Sequence, residues 1–323
     1  MPESLLRRLV CVTSVLALAA GAAMPAAADT SVVVGRSSAT ADAELPAELG
    51  LRLGMFKKHG LDVKFVDFTG GGKLIQAMVA GSVGIGVGAA TGMALVAKGA
   101  PMLAICENTA TLPYFAVGVP WDSDAKVLSD LKGKKIGVAS FGSLTEWLAQ
   151  GLRRKQGWGP DEVTITAIGS NKASPIAAFR QHQIDAYVGA TIDFEEMAEN
   201  KIGRLLAPVS TYMGRVASGA IYATTDMMKN DPETVRAFLA AWVETTAYIG
   251  THKDEIVKVA SEFTGYAPEL VSKEYDIDQG MYTTDCRFDK ESLDALQQSF
   301  LDLKLLDTAP DMSTLYTSAF VPK

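Results

Sequence analysis

Five short segments rich in Ser, Thr and Gly each stand between a predicted strand and a predicted helix. The first main-chain N–H groups of a helix have no partner within it, and the helix dipole adds positive potential there. Such positions favour anions. The segments supply these candidate ligand-binding residues: Ser37, Ser38, Thr69, Gly70, Gly71, Ala90, Thr91, Ser140, Gly142, Ser143 and Thr191. Helix capping explains any one segment alone, but five at strand ends facing one cleft predict a binding site.

Larger side chains are candidates to complete this site. Phe141 and Tyr212 are candidate apolar walls, whereas Trp147, on a predicted helix, is more typical of a core residue. Arg215 lies beside a predicted crossing of the chain and is a candidate counter-ion for an anion. A solvated loop position is an equal alternative for Arg215.

Motifs for nucleotide binding and catalysis are weak or missing. Residues 84–89 match a loose G-x-G-x-x-A, with Glu107 at the expected distance, but these glycines lie inside a strand and not after it. That position favours close packing of helices on the strand. The histidines, His59, His182 and His252, are interpreted as surface residues, and no G-x-S-x-G motif is found. We therefore expect no catalytic residues, no cofactor and no metal.

The elements that must position these segments alternate between strands and helices. Such alternation is typical of an α/β fold, with a parallel sheet covered by helices. A first unit begins with the β-branched residues 31–34, and a second unit with the same plan begins at Lys132. Residues 87–91 and 188–191 end the corresponding third strands with nearly the same sequence. Ligands of open α/β sheets bind beyond such strand ends, so one shared cleft is predicted.

Two extended apolar segments, 112–119 and 216–223, are interpreted as crossings between two lobes. The chain then leaves lobe 1 and later returns to it. We expect lobe 1 to comprise 29–115 and 217–323, and lobe 2 to comprise 116–216. Helices predicted to begin at Asp231-Pro232, Ala267-Pro268 and Asp289 are expected to pack on lobe 1 and brace the hinge.

Residues 1–28 have the pattern of a signal peptide. Arg7 and Arg8 precede an apolar run, and small residues precede Asp29, the expected first residue after cleavage. The run is short for a membrane span, which needs roughly 20 residues. The sequence therefore predicts export to the periplasm.

Composition narrows the function further. The chain has 323 residues and a formal charge of −7, and without residues 1–28 it keeps 28 basic and 36 acidic residues, a charge of −8. Nucleic-acid binding requires clustered Lys and Arg, so an acidic chain of this kind is not expected to bind nucleic acid. Cys106 and Cys286 remain after cleavage, and either a disulfide or two buried thiols fits the sequence. We expect a monomer.

Residues 54–63 resemble the G-x-F-K-K-x-G-L-D-V segment of periplasmic solute-binding proteins of ABC importers. The relevant branch, NMT1/THI5-like, handles nitrate, sulfonate, taurine and thiamine-precursor solutes. Further blocks that share this resemblance lie at 70–81, 97–101, 131–138 and 183–186. The resemblance implies a bilobal, type II periplasmic-binding-protein fold with two hinge crossings. It also implies closure around one small solute in the inter-lobe cleft and delivery to a membrane permease.

The resemblance leaves the ligand open. Related sulfonate and thiamine-precursor proteins often carry a Trp-x-Pro segment where this chain has residues 189–193. An enzyme branch that makes the thiamine pyrimidine needs a clustered-cysteine motif and a reactive His, neither of which is visible. We predict a non-enzymatic binding protein for a small organic anion, of sulfonate or carboxylate type. The alternatives are a pyrimidine or other aromatic heterocycle, with Phe141 and Tyr212 stacking, and an enzyme or sensory protein on the same fold.

Overall fold

The computed structural model describes residues 29–37, 44–68, 70–169, 171–278 and 280–322. The predicted signal peptide and two candidate site residues, Ser38 and Thr69, lie outside the described residues. Among the described helices, none is both long and apolar enough to cross a membrane.

The first unit is a run of strands and helices with the predicted alternation. Its elements are β1 (Thr30–Arg36), α1 (Leu45–Arg52), α2 (Met55–Lys58), β2 (Leu61–Asp67), α3 (Gly71–Val79), β3 (Ile85–Ala89), α4 (Met93–Ala97) and β4 (Met102–Thr109). A 3-10 turn, Ala90–Gly92, separates β3 from α4.

The second unit follows the same plan. Its elements are β5 (Phe115–Pro120), β6 (Lys135–Val138), α5 (Leu144–Lys155), β7 (Thr164–Ala167), α6 (Ala173–Arg180), β8 (Ala186–Ala190), α7 (Thr191–Glu199) and β9 (Gly203–Pro208). The return to the first unit is followed by β10 (Gly219–Thr224) and by five helices: α8 (Thr225–Asn230), α9 (Pro232–Ile249), α10 (Lys253–Thr264), α11 (Pro268–Ile277) and α12 (Lys290–Asp302).

Two five-stranded sheets share one arrangement. The first has the order β2-β1-β3-β10-β4 and the second β7-β6-β8-β5-β9. In each, three neighbouring strands are parallel and the fourth runs antiparallel to both of its neighbours. Those antiparallel strands, β5 and β10, overlap the segments 112–119 and 216–223 that were predicted as the two crossings. The prediction of two α/β lobes joined by two crossings is confirmed.

The C-terminal helices begin where the sequence predicts. The Asp231 carboxylate accepts a hydrogen bond from the Thr234 main-chain N–H at the start of α9. Asp289 caps α12 in the same way, and Pro268 is the first residue of α11. Each carboxylate satisfies one N–H group that the helix itself leaves unpaired.

One predicted helix is divided in two. Residues 45–58 read as a single helix, but the structure has α1 and α2 with a break at Gly54. Gly54 has φ of 72°, a left-handed conformation that ends a right-handed helix and that glycine adopts without a Cβ clash. Helical periodicity on both sides of Gly54 predicts the two helices but not the break between them.

The glycine-rich strand β3 packs closely against α3, as the position of its glycines inside a strand predicts. A Cβ atom built on Gly86 lies 2.5 Å from Met78 Sδ, and one built on Gly88 lies 3.1 Å from a Leu74 methyl carbon. Both partners are buried. The glycines of the G-x-G-x-x-A match therefore make room for a helix, and the nucleotide interpretation is not needed.

Gly86→Ala is expected to lower the free energy of unfolding by about 1–3 kcal/mol, because overpacking forces a fully buried side chain to move. Gly72→Ala is the matched control: it lies in α3, and nothing surrounds its added methyl group within 4 Å. That substitution is expected to stabilise the helix by roughly 0.5–1 kcal/mol. Urea unfolding of both variants measures the difference, and equal stability would contradict the packing argument.

Cys106 and Cys286 form a disulfide, which decides between the two alternatives left by the sequence. The bond joins β4 to the segment between α11 and α12. The same segment is held to β4 by hydrogen bonds from Glu107 N–H to the Cys286 carbonyl and from Thr283 N–H to the Asn108 carbonyl.

Candidate functional site

A cavity of about 440 Å³ lies between the second sheet and the C-terminal helices. On one side, Ala139 follows β6, and Gly189 and Ala190 end β8. Helices α9, α10 and α11 form the opposite side, together with Leu45 at the start of α1. The cavity is therefore the cleft between the two units, beyond the carboxyl ends of the parallel strands of lobe 2.

Aromatic side chains dominate the cavity lining. Six of them contribute: Tyr114, Phe115, Tyr187, Tyr266, Tyr275 and Tyr282. The Tyr114 and Phe115 rings lie 4.6 Å apart between centroids, where the first crossing enters β5. Burial raises the pKa of Tyr187 above its ordinary value, so this hydroxyl stays neutral. Flat rings with hydroxyl tips suit a small planar solute.

Carboxyl groups outnumber cations in the lining. Asp193 of α7, Glu274 of α11 and Asp278, the residue after the end of α11, contribute carboxyls, whereas Lys172 is the single Lys or Arg among the described lining residues. The Tyr266 hydroxyl donates a hydrogen bond of 2.5 Å to Asp193. Burial raises the pKa of Asp193, and the Tyr266 hydrogen bond opposes that rise.

Lys172 and Tyr266 connect the two sides of the cleft. The Lys172 ammonium lies 2.7 Å from the Glu196 carboxylate and 4.0 Å from the centroid of the Tyr266 ring. A further ion pair of 3.1 Å joins Lys273 of α11 to Glu195 of α7. These contacts hold the α10–α11 segment against lobe 2, so the cleft is bridged on this side.

The described residues that were predicted for the site do not themselves line the cavity. Twelve of the fourteen are described, and none of these twelve lines the cavity: Ser37, Gly70, Gly71, Ala90, Thr91, Ser140, Phe141, Gly142, Ser143, Thr191, Tyr212 and Arg215. Thr191 lies between two lining residues, Ala190 and Ile192. The role of the predicted set in ligand binding stays a prediction.

In lobe 1 the predicted strand ends do come together. Ser37 N–H donates to the Val87 carbonyl, and Gly70 N–H donates to the Ser37 carbonyl. The Ser37 hydroxyl donates to Glu44 at 2.5 Å. Ala90 N–H donates to the Ser218 carbonyl, which ties the end of β3 to the return crossing. The hydroxyl of Ser37 is thus engaged by a carboxylate of the chain itself.

In lobe 2 the segment before α5 is a helix cap. The Ser143 hydroxyl accepts from Glu146 N–H at 3.3 Å and lies 2.6 Å from the Ser140 carbonyl, to which it donates. Gly142 N–H donates to the Glu146 carboxylate at 2.5 Å. Phe141 is 66% exposed. Capping therefore accounts for Ser143 without a ligand.

The remaining candidates have protein surroundings of their own. Arg215 forms an ion pair of 2.6 Å with Asp289 at the start of α12. The hydroxyls of Thr191 and Tyr212 are buried and have no hydrogen-bond partner among the described residues. Burial raises the pKa of Tyr212. Trp147 is buried and its indole N–H donates to Asp302, as expected for a core residue.

The residues that line the cavity were largely missed from the sequence. Tyr266 precedes α11, Glu274 lies within it and Asp278 follows it, in a region that the sequence assigned to bracing the hinge. One signal was present: Glu274 and Asp278 are four residues apart and therefore on one face of a helix. Asp193 also stood two residues after the candidate Thr191, inside the first turn of α7.

None of the three histidines lines the cavity: His59 lies beside Glu244, and His252 stacks on Tyr248. Within the described part of the chain, no group of three or more His, Cys, Asp and Glu side chains is arranged to hold a metal ion.

Two curated relatives match most of the chain. A putative binding protein of Brucella abortus is 26% identical over 213 residues, which is 65% of this chain and 64% of that protein. This chain therefore spans just under two thirds of the Brucella protein. A 4-amino-5-hydroxymethyl-2-methylpyrimidine phosphate synthase of Saccharomyces cerevisiae is 27% identical over 251 residues, covering 70% of this chain and 68% of the yeast protein.

The fold is that of known periplasmic binding proteins. The alkanesulfonate-binding protein SsuA of Xanthomonas axonopodis, in complex with MOPS, superposes with a TM-score of 0.76 at 18% identity, covering 90% of this chain and 99% of that one. The predicted bilobal periplasmic-binding-protein fold is thereby confirmed. Residues 47–256, well over half of the chain, match the family model described as "NMT1/THI5 like". The chain belongs to the NMT1/THI5-like family.

Proposed function

We propose that this protein is the periplasmic solute-binding component of an ABC importer. It captures one small solute between its lobes and delivers it to a membrane permease. The observation that carries the proposal is the aromatic cavity of about 440 Å³ in the cleft between two lobes. Lobe 1 is taken as 29–115 with 217–323 and lobe 2 as 116–216, and the exported protein acts as a monomer.

Family and fold support this function. The Brucella relative is named as a putative binding protein, and SsuA of Xanthomonas is an alkanesulfonate-binding protein. The signal-peptide pattern of residues 1–28 supports export to the periplasm, where such proteins meet their solutes.

The lining favours an aromatic heterocycle as the solute. Tyr187 and Tyr275 belong to a lining with six aromatic rings, which offers stacking surfaces on both sides of the cleft. The Thr246 and Thr264 hydroxyls donate hydrogen bonds within their own helices, and each can still accept one from a planar ligand. The lining gives less support to the small organic anion that was expected from the helix N-termini at the strand ends, because the Lys172 ammonium already pairs with the Glu196 carboxylate.

An alkanesulfonate is the second candidate, because SsuA of Xanthomonas shares the fold and was solved with MOPS. Helix α3 also has no acidic residue in its first turn, so its N-terminus keeps its positive potential. Residues 70 and 71 at that end were among the predicted contacts.

A non-enzymatic role is part of the proposal. The yeast relative is named as a synthase, and enzyme activity on this fold is the alternative. The two cysteines of the mature chain are joined in a buried disulfide, and His59, His182 and His252 lie outside the cavity lining. The cavity lining therefore contains neither a free thiol nor an imidazole among the described residues.

The test is a thermal-shift screen of the exported protein with pyrimidines, aromatic acids and alkanesulfonates, followed by calorimetry on the hits. A ligand at 100 times its Kd stabilises the folded state by about 2.7 kcal/mol, so a true solute raises Tm by several degrees. Small-angle scattering then measures lobe closure. NMR of the solute after overnight incubation checks that it is recovered unchanged.

The outcomes separate the alternatives. Stabilisation by pyrimidines but not sulfonates supports the heterocycle, and the reverse result supports the sulfonate. Consumption of any solute by the isolated protein contradicts the non-enzymatic role. Failure of every solute class to raise Tm contradicts the binding function itself.

A further inference from the structure

A tyrosine and a glycine of β8 point to what limits the size of the solute. Tyr187 and Gly189 belong to this strand, and both line the cavity. We propose that the Tyr187 ring forms the inner end of the cavity, that the missing side chain of Gly189 leaves room for the ring there, and that this pair sets the largest solute that the cleft admits. The inference rests on the proposed function, because it concerns the solute of the same cleft.

The Tyr187 ring lies over the backbone of Gly189. A Cβ atom built on Gly189 lies 2.4 Å from Cε1, 2.8 Å from Cδ1 and 3.4 Å from Cζ of Tyr187. The two residues are two positions apart in one strand and therefore face the same side of the sheet. The ring thus extends along β8 toward the end of the strand at Ala190, where the cavity lies.

The neighbouring strands also carry glycine beside this ring. Tyr187 pairs with Gly118 of β5 and with Gly137 of β6. Paired residues of neighbouring strands place their side chains side by side on one face of the sheet, so two glycines leave space around Tyr187. Other side chains fill that space: a Cβ atom on Gly118 would lie 2.1 Å from the Phe194 ring, and one on Gly137 would lie 2.7 Å from Ile184.

These neighbours restrict where the Tyr187 ring can move. Phe194 and Ile184 are buried, and the Phe194 ring meets the Tyr187 ring edge-on at 6.2 Å between centroids. Protein interiors are close-packed, so displacement of the ring toward these side chains is costly. The cavity is the open side of the ring, because Tyr187 lines it. A side chain at residue 189 is therefore expected to push the ring into the cavity and to shorten the space for the solute.

The backbone of residue 189 does not itself require glycine. Gly189 is part of β8, and its φ lies outside the left-handed region. Alanine adopts such a conformation without strain. The missing side chain therefore serves the position of the Tyr187 ring, and alanine at this position tests that role.

Three neutral heterocycles of increasing length test the size limit: 4-aminopyrimidine, 4-aminoquinazoline and 4-amino-6-phenylquinazoline, with one, two and three rings. One methylene more or less in an apolar pocket changes discrimination by roughly 10- to 200-fold. Gly189→Ala is therefore expected to weaken 4-aminoquinazoline binding at least about tenfold and to change 4-aminopyrimidine binding less than about threefold. Calorimetry and thermal shift on the exported protein measure both. Ethanesulfonate and octanesulfonate form the corresponding pair if sulfonates are the solutes found in the initial screen.

Tyr187→Val tests the same pair from the side of the ring. Valine favours a strand and lacks the ring atoms that alanine at residue 189 would meet. In this background, Gly189→Ala is expected to change 4-aminoquinazoline binding less than about threefold, because the two substitutions are coupled through the ring. Tyr187→Val alone is expected to raise the affinity for 4-amino-6-phenylquinazoline relative to 4-aminopyrimidine at least about tenfold. That ratio tests the inference even if Gly189→Ala does not fold.

Gly203→Ala is the matched control for overpacking. Gly203 lies in β9 of the same sheet, and a Cβ atom built on it lies 2.9 Å from Cε2 of the buried Phe179 ring. Neither residue lines the cavity. The control is expected to lower Tm, as Gly189→Ala does, and to keep the wild-type ratio of affinities for the one-ring and two-ring probes. Circular dichroism verifies that each variant is folded.

The results distinguish this inference from the proposed function. An unchanged ratio of affinities in Gly189→Ala, or an equal effect of Gly189→Ala with and without the Tyr187 ring, overturns the size inference while solute binding stands. A crystal structure of Gly189→Ala in which the Tyr187 ring keeps its place also overturns it. A wild-type protein that binds no probe and no solute of the initial screen overturns both.

Discussion

Replacing Cys106 and Cys286 together by alanine is expected to lower the free energy of unfolding by about 2–5 kcal/mol. The disulfide closes a loop between residues 180 positions apart, so it removes much conformational freedom from the unfolded chain. Both cysteine residues are buried, at 0% and 1% exposure, so the loss of their sulfur atoms also opens a small gap in the core.

The same substitution is expected to weaken solute binding. Gly280, Tyr282 and Thr284 line the cavity and lie in the segment that the disulfide fastens to β4. Without the bond, that segment is held to β4 by non-covalent contacts alone, among them the hydrogen bond from Thr283 N–H to the Asn108 carbonyl. If this part of the cavity wall is less ordered in the free protein, it must become ordered when the solute binds. The conformational entropy lost in that step reduces the affinity.

Urea unfolding with and without reductant measures the first effect. In denaturant with reductant, the wild type is expected to reach the stability of the double alanine variant, because both unfolded chains then lack the link. Without reductant, the wild type stays more stable. Equal stability of the oxidised wild type and the variant, within about 0.5 kcal/mol, would show that the link does not constrain the unfolded chain.

The fold could be predicted because the sequence patterns that indicate it are local. Strand and helix periods, glycines between elements and the repeated plan of two units all lie within short windows of sequence. Gly54 shows the limit of this reasoning, because helical periodicity continues on both sides of a residue whose backbone is left-handed. The two crossings were found because apolar extended segments stand at both boundaries between the units.

The site was less predictable because its walls come from distant parts of the chain. Tyr266 of the α10–α11 segment meets Asp193 of α7 across 73 positions, and nothing local to either residue indicates that contact. Acidic residues four positions apart, such as Glu274 and Asp278, are common on solvated helices, so their burial could not be predicted from the sequence. The ion pair of Arg215 could not be predicted for the same reason, since its partner Asp289 lies 74 positions away.

The positions of the strand ends correctly predicted a cleft. The predicted preference of the helix N-termini for an anion, however, ignored the carboxylates in the first turns of the same helices. At α5 and α7, Glu146 and Asp193 stand inside the helices whose ends were assigned to an anion. Acidic residues are common there because they stabilise the helix. A helix start can thus be satisfied by its own sequence, and the ligand charge must be judged from the whole lining.

Glu107 is expected to make the protein less stable as the pH rises. The residue lies in β4, is fully buried, and accepts a hydrogen bond of 3.2 Å from Asp289 N–H. Burial raises the pKa of Glu107 to about 7, against the opposing hydrogen bonds from Ser292 and Asp289 and the nearby charge of Arg215. The carboxylate of Asp289 raises it further.

The sign follows from proton binding. In the folded protein Glu107 holds its proton up to about pH 7, whereas in the unfolded chain it loses the proton near its ordinary value of 4.5. Between these values the folded state binds more protons, so the free energy of unfolding falls as the pH rises. The contribution is fully present below about pH 4.5 and is lost above about pH 7, a change of about 3 kcal/mol.

Glu107→Gln isolates this group, because glutamine keeps the shape of the side chain and never ionises. At pH 5 the variant and the wild type are expected to be nearly equal in stability, and at pH 8 the variant is expected to be more stable by about 3 kcal/mol. Glu291→Gln, an exposed position at the start of α12, is the control and is expected to shift stability by less than about 0.5 kcal/mol at either pH. The measurement is urea unfolding at half-unit steps of pH. A stability difference between Glu107→Gln and the wild type that does not change from pH 5 to pH 8 would show that the buried carboxyl titrates at the same pH in the folded and unfolded states.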